Sequence, residues 1–363
     1  MNIIILICLT LYVMFIIFII SGLFRHRTLP IISLSKVMPN VSVVIAARNE
    51  EDNIQNIIDD LISQEYPLDK LEVIIVNDRS TDSTENLLKQ AEENYAFIKI
   101  ITVTEKSKNM APKKNALTVG IQNSNGEIIV LTDADCRVGK LWVSSMVYSV
   151  VNRNSIIIGF SKIKDNGGIF EQYQQLDFLS IISANAGAAG WGYFWSGTGQ
   201  NIAFFKNDFY SINGFDPVKE KISGDDMYLV QAITKLRNGY THIDPNSFVT
   251  TIPMQTIKSF INQRIRWSSN SKMNLTSSPL FFGFLATMFL YNIVLFFYLL
   301  KGENWFFLFS VKFIFDGIVI SLGAQLFNTK INIKSYCIWA VLQPLYIPMI
   351  GLLGLRGKYS WKS

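Results

Sequence analysis

Apolar residues fall into two kinds of run along this chain. At its ends they form long stretches: residues 3–23 contain no charge, and three more stretches cover roughly residues 280–300, 305–327 and 336–355. About 20 apolar residues of helix cross a hydrocarbon layer of about 30 Å, so both ends predict membrane helices. Between the ends the runs are short and rich in β-branched residues, at 41–47 (VSVVIAA), 71–77 (LEVIIVN), 97–103 (FIKIITV) and 127–133 (EIIVLTD). They alternate with amphipathic stretches at 51–64, 81–94 and 113–122, the second opened by the capping candidates Ser80 and Asp82. Near-continuous apolar strands separated by helices predict an α/β domain with a mostly parallel sheet covered on both faces.

The first stretch has no Lys or Arg ahead of it, is too long for a signal peptide and has no Ala-x-Ala site after it. It therefore reads as a retained anchor, and Arg25, His26 and Arg27 directly behind it place that side in the cytosol. In the second of the three later stretches, Lys312 and Asp316 stand at i, i+4 and are expected to pair inside a bundle. The last contains Gln343, Pro344 and Pro348, which predict a kink or a re-entrant segment. Three full crossings would put Arg356, Lys358 and Lys362 on the wrong side for the charge rule, so a partial crossing is expected there. The resulting division is a transmembrane helix at 1–24, a domain at 25–278 with an interfacial helix near 255–275, two to three membrane segments within 279–356 and a basic tail at 357–363.

Composition narrows the chemistry. Three scattered cysteines offer neither a disulfide framework nor a zinc spacing. With two histidines, His26 beside the anchor and His242 in a turn-rich stretch, neither a histidine metal site nor a Ser-His-Asp triad is expected. The net charge of +5 is concentrated beside the apolar ends, where anionic lipid explains it better than nucleic acid does.

Polar signposts stand where such a sheet binds ligands, at the carboxyl ends of its strands. Arg48, Asn49 and Glu50 follow the first strand, Asp78 the second, and Asp133 and Asp135 end the fourth, so these groups are expected to converge on one crevice. Each has an ordinary reading as well. Asp78 suits a helix cap, Asp-x-Asp is common in turns, and the pair Asp225-Asp226 fits the start of a helix, where anions are favoured.

Taken in order, VNDRSTD, TDAD, SGDD and QRIRW resemble the family 2 inverting glycosyltransferases of GT-A fold, in the membrane-integrated branch with a Q-x-x-R-W motif. That branch includes ceramide glucosyltransferases and polysaccharide synthases, and the resemblance covers about residues 41–267. It implies a Rossmann-like GT-A domain flanked by transmembrane helices, with Asp78 and Glu50 on the nucleotide side. It makes Asp135, with Asp133, the holder of a Mg2+ or Mn2+ ion on the leaving diphosphate. Lys113 before Ala116-Leu117 is implied to neutralise phosphate, although Lys114 is an alternative. Gly197 and Gly199 would allow close approach to the donor sugar, with Asn201 hydrogen-bonding near it, while Gly214, Phe215 and Asp216 are structural. Asp226 is implied as general base and Asp225 as its neighbour on the acceptor side. Gln263, Arg266 and Trp267 share one helical face, with Arg266 suited to diphosphate and Trp267 to the acceptor; Arg264 lies on another face, towards lipid headgroups. The same IKSFINQRIRW run also satisfies an interfacial amphipathic helix. Trp191, Tyr193 and Trp195 carry no assigned role.

The implied activity is transfer of a hexose or N-acetylhexosamine from a nucleotide-diphosphate sugar to a lipid or lipid-linked acceptor. UDP is the implied nucleotide, and GDP stays open. The expected setting is a bacterial inner membrane with the catalytic domain in the cytoplasm. A processive polysaccharide synthase and a non-catalytic nucleotide-binding scaffold are the alternatives.

Overall fold

A computed structural model describes residues 3–26, 38–302 and 304–357; Arg27 of the basic triplet, and Lys358 and Lys362 of the tail, lie outside the described residues. The chain divides into two compact units.

One unit, Arg27–Lys162 with Ser196–Ile252, is built on a seven-stranded sheet. Its strands are β1 (Val41–Ala47), β2 (Leu71–Asp78), β3 (Ile98–Val103), β4 (Ile128–Asp133), β6 (Ile156–Ile158), β8 (Ile202–Phe205) and β9 (Gly239–Thr241), in spatial order β3-β2-β1-β4-β8-β6-β9. The first four are mutually parallel, and β8 runs antiparallel to both β4 and β6. A small second sheet orders β5 (Cys136–Val138), β10 (Val249–Thr251) and β7 (Ser161–Ile163) as β5-β10-β7. The crossovers between the parallel strands are α2 (Ile54–Ile62), α3 (Thr84–Asn94) and α4 (Pro112–Gln122), as the apolar periodicity predicts. The unit also carries α5 (Trp142–Arg153), α7 (Lys206–Ser211) and α8 (Asp225–Ile233).

The reason for the parallel sheet is visible in its core. Val43, Ile45, Val73, Ile75 and Val130 have no exposed surface, and each is worth about 1.5–3 kcal/mol when fully buried. Local chemistry then fixes the crossovers. Pro112 opens α4 where its missing N–H costs nothing. Asp82 accepts from Thr84 N–H at 3.0 Å at the start of α3, whereas Ser80 accepts from Asn49 N–H instead.

His242 lies in this unit, just past β9, and is buried. Ser145 Oγ lies 2.8 Å from His242 Nε2 and 2.5 Å from Asp244 Oδ2, so the serine, and not the imidazole, bridges the other two. That order suits a buried hydrogen-bond chain and not a proton relay to a nucleophile. Burial lowers the imidazole pKa from 6.5 to about 4; Asp244 opposes this and Arg153 adds to it. Between about pH 6.5 and 4 the unfolded chain binds a proton that the folded one refuses, so stability falls as pH falls through that window. The full effect is on the order of 3 kcal/mol. The melting temperature of the purified protein is expected to drop between pH 7 and pH 4.5, and His242→Gln is expected to flatten part of that drop. An identical drop in the variant would refute the assignment.

The other unit, Met1–His26 with Ile163–Trp195 and Pro253–Ser363, contains α1 (Ile3–Leu23), α6 (Ile169–Gly190), α9 (Ile257–Ser268), α10 (Asn274–Ser277), α11 (Pro279–Lys301), α12 (Trp305–Leu326) and α13 (Ile333–Arg356). Residues 163–195 and 253–278, expected from the sequence to belong to one domain at 25–278, thus cluster with the apolar helices. Four helices, α1, α11, α12 and α13, are long and apolar enough to cross a membrane. α13 runs unbroken through Pro344 and Pro348 for 24 residues, so its length gives no reason for a partial crossing. The expected Lys312–Asp316 pair forms within α12 and is buried. Tyr12 of α1 donates to Asp316 Oδ1 at 2.7 Å and stacks on Tyr291 of α11, with ring centres 4.3 Å apart. A polar group in an apolar bundle needs such partners, and here they tie three helices together.

Candidate active site

The site begins with β4, whose last residue is Asp133, at the carboxyl end of the parallel strands. β1 separates β4 from β2, and its register sets Ala46 beside Asp133 and Ala47 beside Asn77, so Asp133 and Asp78 end neighbouring parts of one sheet edge. Asp135 follows directly, before β5.

Two adjacent lysines on the first turn of α4 do different work. Lys114 is fully buried and donates to the carbonyls of Lys221, at 2.6 Å, and Ser223, at 3.2 Å. Ala111 N–H also bonds to Lys219 C=O at 2.8 Å. Together they stitch the start of α4 to the loop that leads into α8. Gly224, at φ 82°, turns that loop into the helix and sets Asp225 and Asp226 in its first turn. Lys113 faces the acids. Its Nζ lies 2.6 Å from Asp133 Oδ1. Burial alone would lower its pKa, but Asp133, Asp225 and Asp226 outweigh that and hold the ammonium above its usual value. Of the two lysines, Lys113 thus meets the carboxylates and Lys114 braces the loop.

Gly199 closes the cluster. Its N–H donates to Asp226 Oδ2 at 3.3 Å, and a Cβ at this position would stand 3.7 Å from each of Lys113 Nζ, Asp225 Oδ2 and the Asp226 Cβ. The backbone therefore borders the space shared by both acidic motifs. Met227 N–H holds the other Asp226 oxygen at 2.7 Å, fixing the carboxylate's orientation.

Two sequence expectations need correction here. Asn201, expected beside the donor sugar, is fully buried and its amide is committed to the scaffold. Oδ1 accepts from Trp142 Nε1 at 3.0 Å, while Nδ2 donates to the carbonyls of Phe160, at 2.9 Å, and Ser247, at 2.7 Å. Gly197 likewise faces apolar packing, since a Cβ there would meet Val230, Ile202 and Ile158. Gly199, two residues on, is the glycine of this segment that borders the acids.

At the end of β2, Asp78 is buried and its carboxylate is taken by Arg79, with Nε on Oδ1 at 2.8 Å and Nη2 on Oδ2 at 3.1 Å. Arg79 has a positive φ of 57°, a conformation that costs a non-glycine residue. Glu50 stands past the end of β1, where its N–H donates to Thr84 Oγ1 at 2.8 Å and its Oε2 accepts from Asn53 at 3.0 Å. Close by in sequence, Asn77 Nδ2 and Arg48 Nε are buried without a hydrogen-bond partner among the described residues. Orphaned donors at strand ends are what a ligand with acceptor oxygens would satisfy.

In the other unit, Gln263, Arg266 and Trp267 lie on α9. Arg264, expected from the sequence to face lipid headgroups, is instead buried, and its Nε pairs with Asp177 Oδ2 at 2.7 Å. An arginine on α9 that faces α6 finds a carboxylate there, which removes any reason to point outward. Trp191 and Tyr193 are exposed and Trp195 is buried against Phe281, at 4.9 Å between ring centres.

No three His, Cys, Asp or Glu side chains among the described residues cluster to hold a metal by themselves. Asp133 and Asp135 supply hard oxygen donors, which suit Mg2+ or Mn2+ sharing its coordination with phosphate oxygens. The donor set fits such an ion.

Comparison with known proteins bears on the family and the fold. The protein-family profile described as Glycosyl transferase family 2 matches residues 42–216. "Probable glycosyltransferase YdaM" of Bacillus subtilis is 29% identical over 70% of this chain and 62% of its own length. "Beta-monoglucosyldiacylglycerol synthase" of Synechocystis is 37% identical over 28% of this chain and 21% of its own length. The chain thus spans about three-fifths of the first relative and less of the second. Among solved structures, the mannosyltransferase PcManGT from Pyrobaculum calidifontis, in complex with GDP-Man and Mn2+, shares the fold with a TM-score of 0.63 at 17% identity, over 98% of this chain and 99% of that one. These matches give residues 42–216 a domain of the kind described as Glycosyl transferase family 2, on a mostly parallel sheet of GT-A-like fold, in a chain that also has four long apolar helices.

Proposed function

We propose that the protein is an inverting glycosyltransferase that moves a hexose or N-acetylhexosamine from a nucleotide-diphosphate sugar to a lipid or lipid-linked acceptor. The observation that carries this reading is the single cluster in which Lys113 joins Asp133 to Asp225 and Asp226 beside the Gly199 backbone. Inverting transfer needs one carboxylate to take the acceptor hydroxyl's proton as that oxygen forms its bond to the anomeric carbon and the bond to the diphosphate breaks. Asp226 suits the part of base: the Met227 and Gly199 N–H groups orient its two oxygens, and a carboxylate oxygen that accepts one N–H has a second lone pair able to take a proton. Asp225 lines the acceptor side. Lys113 carries positive charge to the phosphates, and Asp78 and Glu50 hold the nucleoside. A Mg2+ or Mn2+ ion on Asp135 and Asp133 would supply the charge that stabilises the departing diphosphate. Gln263, Arg266 and Trp267, on α9 of the other unit, are the residues to which the family resemblance gives the remaining donor and acceptor roles. The apolar helices suit a bacterial inner membrane, with the catalytic domain in the cytoplasm and a lipid acceptor at hand; the name of one relative, Beta-monoglucosyldiacylglycerol synthase, points to a glucosylated lipid product.

A screen tests this. Membranes containing the protein would be given UDP-glucose, UDP-galactose, UDP-N-acetylglucosamine or GDP-mannose, GDP-mannose because the structural neighbour was solved with it. A short, lipid-extractable labelled product with one donor is expected. Long polymer would favour a polysaccharide synthase, and no product with any donor would favour a non-catalytic scaffold.

Arg79 allows a sharper expectation. It occupies the acceptor oxygens of Asp78 that a nucleoside would use. Arg79→Ala is expected to tighten nucleotide binding about two- to fivefold, the worth of a partly exposed ion pair. Titration calorimetry measures it; weaker binding in the variant would show that Arg79 helps to hold the nucleotide instead.

A further inference from the structure

We propose that Arg264 is a positioning residue, which sets the side chains of Gln263 and Trp267 on α9 and couples them through Asp177 to the membrane-length helix α13. This inference rests on the proposed role of the Gln263–Trp267 motif and adds a residue that works through it.

The geometry is explicit on three sides of the guanidinium. Nε bonds to Asp177 Oδ2 at 2.7 Å, and the two side chains are only 4% and 5% exposed. Nη1 donates to Gln263 Oε1 at 2.5 Å, which fixes the amide's rotation and leaves its NH2 group directed away from Arg264. Cζ sits 4.2 Å from the centre of the Trp267 ring and 4.6 Å from that of Phe260, so the planar cation fixes the indole by stacking. Phe178 of α6, one residue beyond Asp177, meets Trp267 from another direction at 5.8 Å between ring centres.

Asp177 is the hub. Besides Arg264 it accepts from Trp339 Nε1 at 3.2 Å, on Oδ1, and from Tyr346 OH at 3.4 Å, on Oδ2. Both donors lie on α13, about two helical turns apart, and so share one face of that helix. The carboxylate thus joins α6, α9 and α13 at one buried point. Burying a charge pair yields little net stability, and apolar residues of similar volume often serve as well. Its distinctive yield is directional. The pair specifies one rotation of α9, and that rotation decides where Gln263 and Trp267 point. Arg264 need touch no substrate for this.

The test is a double-mutant cycle on the full-length protein. It would be reconstituted in phosphatidylcholine vesicles with diacylglycerol, using whichever of UDP-glucose, UDP-N-acetylglucosamine or GDP-mannose the wild type consumes. Arg264→Lys keeps the charge but loses the fork and the stacking plane. It is expected to lower kcat about tenfold with little change in nucleotide KM, the pattern of misplacement without lost binding. The pair Gln263→Ala/Trp267→Ala is expected to cost at least as much, and adding Arg264→Lys to that pair no more than about a further twofold. Trp339→Phe, which keeps the ion pair and removes one donor to Asp177, provides a milder lesion of the same kind should Arg264→Lys fold poorly. Its effect is also expected to vanish in the Gln263→Ala/Trp267→Ala background. If Arg264→Lys and the Gln263→Ala/Trp267→Ala pair each impair turnover and the effects multiply, the positioning role is overturned while the motif's role stands. If Trp267→Ala and Gln263→Ala both leave turnover unchanged, there is nothing to position, and the inference falls together with the motif reading.

Discussion

Asp226→Asn is expected to lower the rate of sugar transfer by about three orders of magnitude, while nucleotide binding stays within about twofold of wild type. The substitution changes almost nothing but the proton affinity. An asparagine oxygen can still accept from Met227 N–H, the shorter of the two bonds that hold the carboxylate, and the longer one from Gly199 is the one given up. Lys113 keeps Asp133 as its contact partner and Asp225 as a neighbouring charge, so the phosphate side of the cluster stays intact. What the amide cannot do is take the acceptor's proton as the new glycosidic bond forms. Initial rates at saturating donor and acceptor measure this. A loss smaller than about tenfold would mean that another group serves as base.

The second large effect is expected at Asp135. Asp135→Asn should reduce turnover by about 10²- to 10³-fold, and chelation of divalent ions should do the same to the wild type. The charge argument sets the direction. A diphosphate leaves with dense negative charge, and within this cluster Lys113 is already drawn to three carboxylates. Another cation is therefore needed at the strand edge, where Asp133 and Asp135 provide oxygen donors for it. Raising Mn2+ should restore part of the variant's activity, because an amide oxygen is a weaker ligand and not an absent one. Wild-type turnover that ignores EDTA would remove the metal from the proposal and leave Lys113 as the main neutralising group.

Much of this site is legible in the amino-acid sequence, because its signals are local. An acid at the end of an apolar strand is recognised from a few neighbours, and Asp78 and Asp133 both stand where the strand pattern puts them. The i, i+4 spacing of Lys312 and Asp316 likewise predicts their pairing. What is not legible depends on partners remote in sequence. Asn201 looks like any polar residue in a glycine-rich loop until Trp142, 59 positions away, is seen to occupy its carbonyl. Lys113 and Lys114 are indistinguishable as neighbours; the loop at residues 219–223, about a hundred positions later, separates their roles. Helical face alone shows that Arg264 differs from Gln263 and Trp267, but not what it faces. A signal for it does exist. Asp177 stands in QLDFLSIISANAGAAG, a stretch with no other charge, and a buried carboxylate calls for a cation somewhere in the chain.

The most direct measurement is calorimetric titration of the purified protein with UDP and GDP, with and without Mn2+, in the wild type and in Asp135→Asn. One nucleotide is expected to bind per chain, at least about tenfold more tightly with Mn2+, with that gain much reduced in the variant at the same Mn2+ concentration and the metal-free binding unchanged. No nucleotide bound under any condition, or an equal Mn2+ gain in both proteins, would contradict a diphosphate and metal site at the carboxylate cluster.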